Sequence, residues 1–167
     1  MVKKAGHRLL VVGIIGGLFL LGWRMFFPSD RVRIGKLLDR LEQASNLAAS
    51  ESQLVKLVRI QRIEEMFVPQ CQVAVDTFEY GKLRLSGRDE LVQTVSAASV
   101  LGQAVTVKIL QTGIQVAESK TNALVEVAAA VRTSQGRRET LLLRLRLDKT
   151  EGAWRLTKVE SIPTLHM

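Results

Sequence analysis

The chain has 167 residues, with 24 basic and 16 acidic side chains and a net charge of +8, which bounds it to one domain plus a short appendage. One cysteine excludes an intrachain disulfide, and a single thiol with two histidines is poor material for a zinc site. Four of the basic residues and none of the acids fall within the first 28 positions, so the rest carries about half of the excess, a mild bias toward anionic partners.

Residues 9–23 read LLVVGIIGGLFLLGW, and the run continues past Arg24 to Phe27, about the length that crosses a hydrocarbon core. Near the end of such a span Arg24 snorkels to the headgroups and Trp23 suits the interface. Lys3, Lys4 and Arg8 also make a leader-like start, so a cleaved signal peptide competes with an anchor, as does a buried soluble helix. The exit through Trp23, Arg24, Met25, Phe26, Phe27 and Pro28 lacks a small-x-small cleavage pattern, which favours the anchor. The expected layout is a cytoplasmic tail at 1–8, a single-pass inner-membrane helix at 9–27, and an extracytoplasmic (periplasmic) domain at 28–167. Arg31, Arg33 and Lys36 lie beyond the span, so the positive-inside rule has charges to count at both ends.

Ser29 or Asp30 is placed to cap a helix from Arg31 to Leu47, with Ile34, Leu37, Leu38, Leu41 and Ala44 at three- and four-residue spacing. A second helix starts near Ser50, in the phrase S-E-S-Q, puts Leu54, Leu57, Val58, Ile60, Ile63 and Phe67 on its apolar side, and ends at Pro69. Cys71, Val73, Val75 and Thr77 then alternate as a strand, and Cys71 reads as an inert core thiol. Tyr80-Gly81 is a turn, Lys82 to Leu85 a short strand, and Arg88 to Leu101 a third helix with Ser86 as a candidate cap. Four long strands follow. Val105 to Val116 holds Gly113, where a bulge is expected. Asn122 to Arg132 comes next. The third carries Leu141, Leu143, Leu145 and Leu147 on one face, with Leu142, Arg144 and Arg146 on the other. The last runs from Trp154 to Ile162. The short turns predict an antiparallel meander.

This order, with the helix-to-strand junction EEMFVPQCQVAV at Glu64–Val75 and the glycine-led phrase LSGRDELVQTV at Leu85–Val95, resembles the NTF2-like (SnoaL-like) superfamily over about residues 31 to 163. The resemblance implies an α+β cone, three helices packed on a curved, mainly antiparallel sheet, with a cavity between helices and sheet. It also implies pairing through the open sheet face, where Leu142 and the flanking arginines take part. A membrane helix ahead of such a domain is similar in layout to VirB8-like secretion components and Mce-associated membrane proteins.

Catalytic material is thin. His166 lies next to the C-terminus and His7 near the span, so a His–Asp pair cannot be assembled within the folded domain. Tyr80, the only tyrosine, falls in a turn. What remains is a carboxylate–arginine set, Asp76, Glu126, Arg144 and Arg146. Facing a cavity it would make an anion pocket or a hydrolase-like site; facing out it would be a solvated surface with cross-strand charge pairs. No phosphate loop, dinucleotide fingerprint or CxxC pair occurs, so no cofactor is expected. The basic clusters Arg137-Arg138 and Arg144-Arg146 lack interleaved aromatics for stacking bases. The sequence therefore predicts a non-enzymatic, membrane-held protein-interaction or assembly module of the cell envelope, related to secretion or transport. Its tentative binding residues are Asp76, Glu126, Leu142, Arg144 and Arg146, and its partners are proteins, itself included. The alternative is a small-molecule binder or a hydrolase- or isomerase-type enzyme with an apolar cavity.

Overall fold

The computed structural model describes residues 29–46, 48, 52–77, 81–100, 104–133 and 135–162. The anchor at 9–27 therefore lies outside the described residues, as do Tyr80, His7 and His166. Among the described residues no helix is long and apolar enough to cross a membrane.

Helix α1 (Asp30–Ser45) forms as its spacing predicts and buries Ile34, Leu37, Leu38 and Ala44. Its expected cap does not form: Ser29 makes no side-chain cap bond, and Asp30 is used elsewhere. Helix α2 (Gln53–Met66) is capped by the Ser52 hydroxyl, which accepts from the Val55 N–H at 3.4 Å. Its apolar side is only half used, with Ile63 and Met66 buried and Leu54, Val55, Leu57 and Val58 exposed. Pro69 does not end this helix. The backbone turns extended at Phe67, two residues earlier, and Pro69 lies inside strand β1 (Phe67–Thr77). The register of β1 against its neighbour is irregular between Phe67 and Gln72, so a residue without an N–H is tolerated there.

Strand β2 (Gly81–Ser86) leads into helix α3 (Arg88–Val100) through Gly87 at φ +98°. The Gly87 N–H donates to the Cys71 carbonyl at 2.7 Å, and the Glu90 carboxylate accepts from the Ser86 N–H at 2.7 Å. A side chain at position 87 would be strained in that left-handed conformation, which explains the glycine in the LSGRDE phrase. Strands β3 (Val105–Val116), β4 (Asn122–Thr133), β5 (Arg138–Thr150) and β6 (Ala153–Ser161) follow as an antiparallel meander. The β5–β6 turn has Glu151 and Gly152 both at positive φ, as a two-residue hairpin matched to strand twist requires. The sheet order is β2-β1-β6-β5-β4-β3, and only β1 and β6 run parallel.

The helices cover one face. Helix α1 packs on β3 and reaches β6, while α2 and α3 pack on each other and on β1. The sheet answers with Cys71, Val73, Ala123, Val125, Val127, Ala129, Leu145, Leu147, Trp154, Leu156 and Val159, all buried. Two irregularities keep this face apolar. In β3 the register slips between Ile109 and Gln111, so Leu110, and not Gly113, is the extra residue. Gly113 sits in register opposite Glu126. The slip lets Val105, Val107 and Ile109 and then Ile114 and Val116 point the same way. In β6 a slip at Thr157 does the same for Leu156 and Val159.

Helix α1 is tied to the sheet at both ends. Asp30 Oδ1 accepts from Lys149 Nζ at 2.8 Å and from Trp154 Nε1 at 3.0 Å, and the Lys149 ammonium lies 5.5 Å from the indole centroid. The Lys149 hydrogen bond first, then that of Trp154, holds the Asp30 carboxyl below its ordinary value of 3.8. At the other end Glu42 Oε2 accepts from the Ile109 N–H at 2.7 Å, and Asn46 Oδ1 from the Val107 N–H at 2.6 Å. Strand β3 is the sheet's last strand, so these carboxylate and amide oxygens satisfy backbone donors that a bare edge would offer to another chain.

Two predictions follow from these ties. Asp30→Ala should cost about 1–2 kcal/mol at neutral pH, because it strands a charged and a neutral donor. A depressed carboxyl stabilises fully above its unfolded value near 3.8 and stops doing so as pH falls through its lower folded value. Urea melts at pH 7 and in strong acid should therefore show the difference between wild type and variant shrinking toward acid; an equal difference at both would contradict the tie. For the other end, Glu42→Ala should speed amide exchange at Ile109 and lower stability by about 1 kcal/mol, whereas Glu42→Gln, which keeps an acceptor oxygen, should do neither.

Candidate interaction surface

The face turned away from the helices carries most of the charged side chains singled out from the sequence. Its register sets Gly113, Glu126, Arg144, Glu160, Ala74 and Arg84 in one row across all six strands. Within that row Arg144 Nη2 donates to Glu126 Oε1 at 3.1 Å, a cross-strand pair of opposite charge. The next row reads Gln115, Leu124, Arg146, Lys158, Gln72 and Ser86. Lys158 forms an ion pair with Glu160, its neighbour on the same face of β6. The Glu160 carboxyl is held below its ordinary value first by the Lys158 hydrogen bond, with the charges of Lys158, Arg146 and Arg144 adding to it. Carboxylates and cations thus interleave across β4, β5 and β6.

On one side of this ladder lies an apolar band. Gln111, Ala128 and Leu142 share a row, and the Ile162 N–H extends it by donating to the Leu142 carbonyl at 2.7 Å. Leu142 is 37% exposed and the bulged Leu110 57%. Two open depressions lie toward opposite ends of the charged rows, one over β1, β2 and β6 and the other over β3, β4 and β5. One, of about 360 Å³, is lined by Gln72, Asp76, Lys82, Arg84, Lys158 and Glu160 among others. The second, of about 600 Å³, includes Gln115, Asn122, Leu124, Arg146 and Thr157.

The five tentative binding residues therefore divide. Glu126, Leu142, Arg144 and Arg146 are neighbours on β4 and β5. Asp76 shares their face but stands apart, three strand spacings from Glu126, about 14 Å across the sheet. It lies 4.0 Å from Lys82, and its backbone N–H donates to Ser161 Oγ at 3.0 Å. None of them lines the space between helices and sheet, so the cavity rim envisaged for an enzyme is not built from this set. Among the described residues the buried side chains are apolar apart from Arg59. Cys71 is 1% exposed, and burial pushes its thiol up, in keeping with an inert core position.

Sequence reading missed Lys158 and Glu160. Trp154 and Leu156 face inward, and unbroken alternation would send Lys158 and Glu160 inward too. The slip at Thr157 turns both out. The signal was present in Val159, an apolar residue between two charges, out of phase with Leu156.

No protein-family model matches the sequence, and no curated protein does. Solved structures do. A protein of unknown function with a cystatin-like fold from Nostoc punctiforme is similar at 18% identity and a TM-score of 0.57, over 84% of this chain and 96% of that one. An NTF2-like protein of unknown function from Pseudomonas putida reaches a TM-score of 0.61 at 12% identity, over 83% and 91%. A protein described as a putative scytalone dehydratase from Novosphingobium aromaticivorans matches at 15% identity and 0.57, over 81% and 85%. The described domain has the NTF2-like fold, a three-helix cone on a six-stranded mixed sheet.

Proposed function

We propose that this chain is a non-enzymatic docking module, tethered to the cell envelope's inner membrane by residues 9–27 with its domain on the extracytoplasmic side. The fold alone does not choose this role, since NTF2-like domains serve both catalysis and binding. The observation that carries it is the sheet face that no described helix covers. An exposed leucine band beside an ordered ladder of carboxylates and cations has the makeup of a protein interface, an apolar centre with a charged rim that sets register. Lone surface leucines are ordinary, but Leu110 and Leu142 flank Ala128 at the same level of the sheet. The polar groups of this face are already paired with each other at Glu126–Arg144 and Lys158–Glu160. That suits recognition of a surface better than proton transfer, which needs a group poised near the working pH.

Two measurements test the reading. Full-length chain should stay with membranes through high-salt and carbonate washes; release would remove the tether. Leu142→Asp and Arg144→Glu should each weaken association, with itself or with co-purifying protein, by about tenfold or more, the loss typical of a central interface residue. Both sites are on the solvent side of the sheet, so thermal unfolding should move little. Unchanged association in both variants would refute the docking face.

A further inference from the structure

The start of α1, at Asp30, lies two residues beyond Pro28, and the run that the proposed tether requires ends at Phe27. At no more than about 3.6 Å per residue, Ser29 sits within roughly 7 Å of Phe27, the thickness of one headgroup layer. Ser29 also lines an open depression of about 570 Å³ together with Asp30, Arg31, Arg33, Val116, Ala117, Glu118, Lys120 and Lys149. Three separate segments supply its cations: the first turns of α1, the β3–β4 turn and the end of β5. Lys149 is committed to Asp30. Arg31, Arg33 and Lys120 enter none of the ion pairs among the described residues, and Glu118 is the one acid there not engaged by a cation. Lys120 holds a φ of +54°, a conformation better suited to glycine or asparagine, so the turn keeps a lysine against its backbone preference.

We infer that this depression is a docking surface for the headgroups of anionic phospholipid, which seats the domain against the bilayer it is tethered to. The inference rests on the tether proposed above. Contiguity with the apolar run puts Arg31 and Arg33 within reach of the lipid phosphates. The Asp30 bonds to Lys149 and Trp154 then fix the β5–β6 hairpin beside them, and Lys120 completes the rim from the β3–β4 turn. Basic side chains next to a span attract anionic lipid over about a Debye length. The tether therefore limits how far the domain stands off, and the cations set which end faces the membrane.

The test uses full-length chain carrying Ala117→Cys, with Cys71 buried and unreactive, labelled and reconstituted into vesicles of phosphatidylcholine alone or mixed with phosphatidylglycerol. The label should be several-fold less accessible to a water-soluble quencher in the anionic vesicles. Added salt should restore access, and so should Arg31→Glu, Arg33→Glu and Lys120→Glu combined. Retention after carbonate with equal label access in both lipids keeps the tether and overturns this inference. Release by carbonate overturns the tether, and the inference with it. A combined variant still protected by anionic lipid would show that these cations do not make the contact.

Discussion

Helix α1 makes the cone possible because it is held at both ends by oxygen acceptors aimed at different parts of one sheet. Its apolar stripe buries Ile34, Leu37 and Leu38, but burial is non-directional and would tolerate sliding. The carboxylate of Asp30 between an ammonium and an indole, and the Glu42 and Asn46 oxygens on two β3 amides, remove that freedom. Sixteen residues of helix span about 24 Å, so the two ties brace β3 against the β5–β6 hairpin from the helical side. On the β3 edge the strut occupies the Val107 and Ile109 amides.

With the described helices committed to one side, the other side of the sheet carries no described helix. Its charged rows are not a scatter of surface groups. Register alone brings Glu126, Arg144 and Glu160 into line, and the Thr157 slip supplies Glu160 to that line. Exposed ion pairs add little stability singly; here they do more to orient one another than to hold the fold. Arg144 is fixed against Glu126 and Lys158 against Glu160, while Arg146 and Arg84 enter none of the ion pairs among the described residues. The result is a patterned surface with unpaired cations beside a leucine band.

Much of the fold was legible in sequence because simple periodicities dominate it. The leucines at 141, 143, 145 and 147 could belong only to a half-buried strand, and α1 shows its three- and four-residue spacing openly. The failures have physical causes. Pro69 read as a helix stop, but the helix had already given way at Phe67, and proline is equally at home in an irregular stretch of strand. A change of alternation between Ile109 and Ile114 announces a bulge without locating it, and glycine drew the choice to Gly113 when Leu110 holds the extra position. Leu54, Leu57 and Val58 fit an apolar face that the domain does not bury. Of the site, the strand pair β4–β5 was readable, since Arg144 and Arg146 oppose the leucine stripe. The contribution of β6 was not, because it hangs on one unpaired residue, and the α1 ties were invisible because they join residues up to 124 positions apart.

The parallel pairing of β1 with β6 sets the order in which this molecule can be made. Phe67 aligns with Leu156 and Ala74 with Glu160, so the strand laid down first among the six has one hydrogen-bonding edge waiting for the strand that emerges last. Contacts so distant along the chain close slowly, since the intervening loop must be gathered first. Until then Cys71, Val73 and the core side of α2 have no sheet to complete them. A chain that emerges N-terminus first would present that unfinished edge until β6 has followed, and the β5–β6 hairpin would act as the latch, shutting the domain only once residues 153–161 are free to pair.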